Sequence, residues 1–112
     1  MIRGALPLLL LACATETAEP PAALDCASEP VVTWENVGEG LMIENCQSCH
    51  ASTSLNRNGA PESVVFDTHT DVITFRSRIL AVTAPDTRTM PPSLALSDDD
   101  RHLLQVWLEC WE

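Results

Sequence analysis

Tyrosine is absent from this sequence, and its aromatic side chains number five: Trp34, Trp107, Trp111, Phe66 and Phe75. In a chain of 112 residues, so few large apolar groups allow one small core, near the lower limit of what folds unaided. No apolar run is long enough to cross about 30 Å of hydrocarbon, since the longest has about eight residues. Basic residues are scarce too, six against 16 acidic ones, for a formal charge of −10. Such a surface repels phosphate and anionic lipid, which argues against nucleic-acid recognition. Those acids serve either as a solvated shell or as a field that steers a partner with a basic face. There is no internal repeat and no second block of composition, so a single domain is expected. A core this small calls for help from a covalently bound cofactor, from a disulfide or from both, and five cysteines permit either.

The N-terminal run, MIRGALPLLLLA, places Arg3 ahead of a short apolar stretch and a small residue directly before Cys13. This is the pattern of a secretion signal over residues 1–12. Leu10, Leu11, Ala12 and Cys13 resemble a bacterial lipobox, which implies that Cys13 is acylated and becomes the mature N-terminus. An ordinary signal peptide cleaved nearby is the alternative. Residues 13–25 then form the lipidated cysteine and a tether, because Ala14 to Leu24 carries two acids, two adjacent prolines and little to bury. Extended at about 3.1 Å per residue, that tether reaches roughly 34 Å. The folded domain is expected over residues 26–112, on the periplasmic side of a bacterial membrane. Ala14 after the cysteine, where an Asp would resemble an inner-membrane retention signal, mildly favours the outer membrane.

Cys46, Gln47, Ser48, Cys49 and His50 spell C-x-x-C-H, the attachment signature of c-type haem. Two thiols three residues apart lie along one turn of backbone, so each can add to one of two vinyl groups on the same porphyrin edge. His50 then falls beneath the iron as its proximal ligand. A thioredoxin-like redox pair would sit within an alternating strand and helix pattern, which this sequence lacks. A zinc site would want four ligands, and His69 and His102 stand alone in the sequence.

Helical periodicity surrounds the motif. Val37, Leu41 and Met42 recur at helical spacing and lead into Cys46, with Met42 expected in the core. Gly38 and Gly40 are poor helix formers and suggest a close helix contact. Asp71 to Val82 carries Val72, Ile73, Phe75, Ile79 and Leu80 in a helical pattern, with Thr70 as its cap and Pro85 beyond its end. Ser97 followed by Asp98, Asp99 and Asp100 starts a last helix, whose apolar face is Leu103, Leu104, Trp107, Leu108 and Trp111. Val64 to Phe66 reads as a short strand or as a cover for a haem face, and His102 as solvent-exposed.

From about Trp34 to Trp111, these segments together with Thr89-Met90-Pro91-Pro92 look like the small class I cytochrome c domains found in lipoproteins of myxobacteria and planctomycetes. The resemblance implies an all-α fold of three to four helices around one covalent haem c, with the N- and C-terminal helices crossing at a small residue. It implies Met90 as the sixth iron ligand, its segment stiffened by the prolines, with His69 as the alternative. It also implies that the Pro61 carbonyl accepts the Nδ1 proton of His50. Trp107 is expected near Gly38 or Gly40 and against the haem edge. Arg57, Arg76, Arg78 and Arg88 are candidates for the haem propionates, with Arg76 and Arg78 preferred.

Once Cys13, Cys46 and Cys49 are assigned, Cys26 and Cys110 remain, flanking the domain. In an oxidising compartment they are expected to pair, closing a loop of about 84 residues and stabilising by roughly 4 kcal/mol. Free thiols or pairing between chains are the alternatives. A neutral thioether opposite imidazole favours Fe(II) and closes both axial positions, a design for electron transfer rather than catalysis. The expected function is therefore a monomeric, lipid-anchored, single-haem electron carrier that exchanges electrons with redox proteins and binds no nucleic acid. A haem-based sensor or weak peroxidase, in which Met90 leaves the iron, is the alternative.

Overall fold

A computed structural model describes residues 23–93 and 95–112. The signal over residues 1–12, the acylated Cys13 and the tether up to residue 22 lie outside the described residues. Within them the chain is helical and contains no strand, so Val64 to Phe66 is extended loop. No helix among the described residues is long and apolar enough to cross a membrane.

The first helical stretch opens at Thr33. Its Oγ1 accepts the Asn36 amide at 3.3 Å while Asn36 Oδ1 accepts the Thr33 amide at 2.7 Å, a reciprocal cap. A π-helical turn, Trp34–Gly38, passes directly into α1, Glu39–Asn45, and then past Cys46 into the single turn α2, Gln47–His50.

The middle segment forms two helices rather than one, α3 over His69–Thr74 and α4 over Arg76–Thr83. The cap is Thr68, not Thr70. Thr68 Oγ1 accepts the Asp71 amide at 3.2 Å and Asp71 Oδ2 accepts the Thr68 amide at 3.0 Å. Aspartate three residues on completes the reciprocal pair for Thr68, whereas Thr70 lies inside the helix. The break falls at Phe75, whose backbone (φ −101°, ψ 10°) leaves the helical region. At the far end Ala84 is extended (ψ 148°), as the ring of Pro85 requires of the residue before it.

The last helix, α5, covers Asp98–Val106 and ends in a π-helical turn, Trp107–Trp111. Ser97 Oγ accepts the Asp100 amide at 3.1 Å, and three aspartates occupy the first turn, where the helix dipole favours negative charge. The buried face differs from the expected one. Leu104, Val106, Trp107 and Leu108 are buried, together with Arg101, while Trp111 is 40% exposed. The wider turn shifts register after Trp107, so a residue four positions on no longer lies beneath it.

Gly38 and Trp107 mark where the first and last helical stretches meet. A Cβ built on Gly38 would lie 2.9 Å from the Trp107 ring, whereas one on Gly40 would meet nothing within 4 Å. Only Gly38 is therefore a contact glycine. Trp107 is fully buried in a core shared with Val32, Met42, Val72, Leu104 and Leu108.

The segment before the first helix runs along the last one. Cys26 and Cys110 form a disulfide with Cα atoms 5.4 Å apart across 84 residues of sequence. Trp111 Nε1 donates to the Pro30 carbonyl at 2.9 Å, and His102 Nε2 lies 2.9 Å from Glu29 Oε2, which gives His102 a partner. Leu24 packs against the core, so the ordered fold includes a residue whose composition reads as tether.

Candidate functional site

The C-x-x-C-H segment is held by backbone on both sides. The His50 amide donates to the Cys46 carbonyl at 2.9 Å, which puts Cys46 and His50 one turn apart. Phe66 then brackets the turn: its carbonyl accepts Gln47 Nε2 at 2.8 Å and its amide donates to the His50 carbonyl at 2.7 Å. The Phe66 ring lies 4.8 Å from the His50 imidazole and 5.8 Å from Phe75, which it meets edge-on. The Phe75 break thus supplies the second aromatic wall.

Next to this turn is a cavity of about 920 Å³, within the roughly 300–1,000 Å³ usual for cofactor sites. Its wall includes Cys46, Cys49, His50, Pro61, Arg78 and Met90, which the sequence singles out, and Met42, Val64, Phe66 and Phe75 supply apolar surface. Arg57 and Arg78 both line it, whereas among the described residues no Asp or Glu does. The site is apolar with a positive bias.

Two cysteines, one histidine and one methionine thus line a common space, and the two cysteines are not bonded to each other. Burial pushes the Cys46 thiol up to about 11, the opposite of the lowered value a redox-active dithiol needs. Among the described residues no three His, Cys, Asp or Glu side chains converge as ligands of one metal ion. A zinc site built from Cys46, Cys49 and His50 is not assembled.

Three expected assignments change. The carbonyl that meets His50 Nδ1 belongs to Val64, at 3.1 Å, and not to Pro61. Pro61 closes a turn with the Val64 amide at 3.0 Å and accepts Arg57 Nη2 at 2.8 Å, so its carbonyl is already engaged. Because a carbonyl only accepts, Nδ1 is the donor in this contact. Arg76 does not line the cavity, since its Nε donates to the Leu108 carbonyl. Trp107 is fully buried against Gly38 and is not part of the cavity wall.

His69 also lies outside the cavity wall. Its ring stacks on Trp34 at 5.6 Å and its Nε2 is 2.6 Å from Glu112 Oε1, which also accepts Trp107 Nε1 at 2.8 Å. Met90, in contrast, is among the residues that line the cavity, and its amide donates to the Val82 carbonyl at 3.0 Å.

Arg57 has a structural role that its sequence context does not signal. Its guanidinium donates to the carbonyls of Ala51 (2.7 Å), Ala60 (3.3 Å), Pro61 (2.8 Å) and Val64 (3.2 Å), which folds the loop after His50 around one cation. Asn58 and Gly59 turn that loop at positive φ, 48° and 86°, where Asn and Gly are the residues best tolerated. Asp67 closes it by accepting the Ser52 amide at 3.0 Å. Hydrogen bonding from Ser52, with the Arg57 charge adding, holds the Asp67 carboxyl below its usual 3.8. Comparison with protein-family models, curated proteins and solved structures finds no match.

Proposed function

We propose that this chain is a class I c-type cytochrome domain that carries single electrons through one haem c, held at a membrane surface by a lipid on Cys13. The observation that carries the reading is the cavity, where Cys46, Cys49, His50 and Met90 line an apolar space together with two arginines and, among the described residues, no Asp or Glu. Cys46 and Cys49 would attach the porphyrin by adding S–H across its two vinyl groups, a step that needs no oxidant and expels no leaving group. His50 Nε2 and the Met90 sulfur would hold the iron. The Val64 carbonyl would fix the His50 tautomer and strengthen its donor nitrogen. Arg78, as a lining arginine, is the choice for the propionates. Haem iron supplies a one-electron Fe(II)/Fe(III) couple, and Met42, Phe66 and Phe75 would keep water from it.

Electron transfer is favoured over oxygen or peroxide chemistry because both axial donors line the same cavity. The acidic surface fits a redox partner with a basic face. The test is expression of the full chain with a haem-attachment system, followed by intact mass measurement and extraction into acidic acetone. Haem should remain with the protein in the wild type and be lost when Cys46 and Cys49 are both replaced by serine. Extraction of haem from the wild type, or colour that survives extraction from the double variant, overturns the reading. Ready binding of carbon monoxide by the reduced wild type at neutral pH would instead favour the sensor or peroxidase function.

A further inference from the structure

Arg101 is 2% exposed, yet what answers its charge is backbone rather than carboxylate. Nη1 donates to the Thr83 carbonyl at 2.6 Å and to the Met90 carbonyl at 3.2 Å, and the buried Nε has no partner among the described residues. Taking a cation out of water without an opposite charge is unfavourable, so stability alone is a poor reason for an arginine here.

The Met90 segment supplies another reason. Pro91 and Pro92 follow Met90 and have no amide hydrogen, so beyond the Met90 amide this stretch can be held only through its carbonyls. A carbonyl needs a donor brought from elsewhere. Upstream, the Thr89 and Met90 amides both donate to the Val82 carbonyl at 3.0 Å. The Met90 residue is thus held by its amide to the last turn of α4 and by its carbonyl to α5. A single nitrogen of Arg101 joins that carbonyl to Thr83, the residue after Val82.

We infer that Arg101 is the positioning residue for Met90: its buried guanidinium holds the Met90 backbone at the cavity wall so that the thioether stays available as an axial ligand. This rests on the haem reading above. Arg101 touches neither the cavity nor the reacting atoms and acts through the Met90 carbonyl. Loosening of that carbonyl lets an external ligand compete with the thioether.

The experiment is titration of the ferric, full-chain holoprotein with imidazole, while following the weak long-wavelength charge-transfer band that thioether ligation gives ferric haem. Replacing Arg101→Met removes the donor and keeps apolar volume, and should raise the apparent imidazole affinity about 10- to 100-fold, the range for loss of one hydrogen bond from a charged donor. Arg101→Lys keeps the charge but has a shorter reach to only one carbonyl, and should fall between. If Arg101→Met yields no folded holoprotein, the Lys variant decides alone. Cys26→Ser with Cys110→Ser serves as a control, lowering the melting midpoint while leaving imidazole affinity at the wild-type value. Wild-type affinity and an unchanged band in the Arg101 variants overturn the inference and leave the haem reading standing. A wild-type holoprotein without the band removes the Met90 assignment and the inference with it.

Discussion

Gly38 and Gly40 lie two residues apart in the same helical stretch, and replacing each by alanine should change stability in opposite directions. Alanine is favoured over glycine in a helix interior by about 0.8–1 kcal/mol. At Gly40 nothing lies within 4 Å of the new Cβ, so the variant should keep most of that gain. At Gly38 the Cβ would come within 2.9 Å of Cζ2 and Cη2 of Trp107, closer than carbon atoms approach without displacement. The indole has little room to yield, because it is fully buried, its Nε1 donates to Glu112 at 2.8 Å and Trp34 lies 6.0 Å from it. Overpacking of this kind costs typically 1–3 kcal/mol, and a ring fixed on several sides belongs to the upper half of that range. With the helix gain subtracted, Gly38→Ala should lose about 1–2 kcal/mol, a fall in melting midpoint of about 5–15 °C for a domain of this size. Urea unfolding of the protein, followed by far-ultraviolet circular dichroism, measures both variants on one scale. Equal or greater stability of Gly38→Ala would refute the close approach of these helices.

Two further outcomes follow from the same structure. Replacing Cys26 and Cys110 together by serine should cost about 4 kcal/mol, because the bridge spans 84 residues of chain; a midpoint that a reductant leaves unchanged in the wild type would contradict this. Asp67→Asn should destabilise at neutral pH by weakening the acceptor for Ser52. Because the folded value of Asp67 lies below 3.8, its contribution is present above the unfolded value and is lost as pH falls through the folded one. The gap between wild type and variant should therefore hold at neutral pH and close below about pH 4 in thermal melts. A gap that widens with acid would sink the argument.

Local signals were legible where the partners are close in sequence. The last helix starts at Ser97 as its hydroxyl and three aspartates require, because a cap and its amide lie three residues apart. Gly38 is recognisable as a contact residue from its poor helix propensity, but Gly40 carries the same signal and has no contact. The cap of α3 was misread for a related reason: Thr68 and Thr70 both suit the role, and Asp71, at the third helical position, selects Thr68.

The site divides in the same way. C-x-x-C-H is a local arrangement, so its turn follows from spacing, and a loop rich in Asn and Gly after it is equally readable. Which carbonyl meets His50 is a different matter. It depends on how the loop folds: the Val64 amide and Arg57 together occupy the Pro61 carbonyl, whereas the Val64 carbonyl takes Arg57 and the imidazole. Arg76 and Arg78 are indistinguishable as sequence neighbours, but the turn of α4 sends one to Leu108 and the other to the cavity. Arg101 gives no sequence signal, since a lone arginine on a helix that begins with three acids reads as a surface residue.

Order along the chain was thus enough for its helical character and for the first turn of α5, since each depends on neighbours within about one turn. The apolar cavity, the Val64 carbonyl at His50, the seat of Trp107 and the burial of Arg101 come from segments distant in sequence. Their hydrogen bonds and contacts exist only after the core has packed, and no pattern of adjacent residues encodes which of several equivalent groups will be nearest.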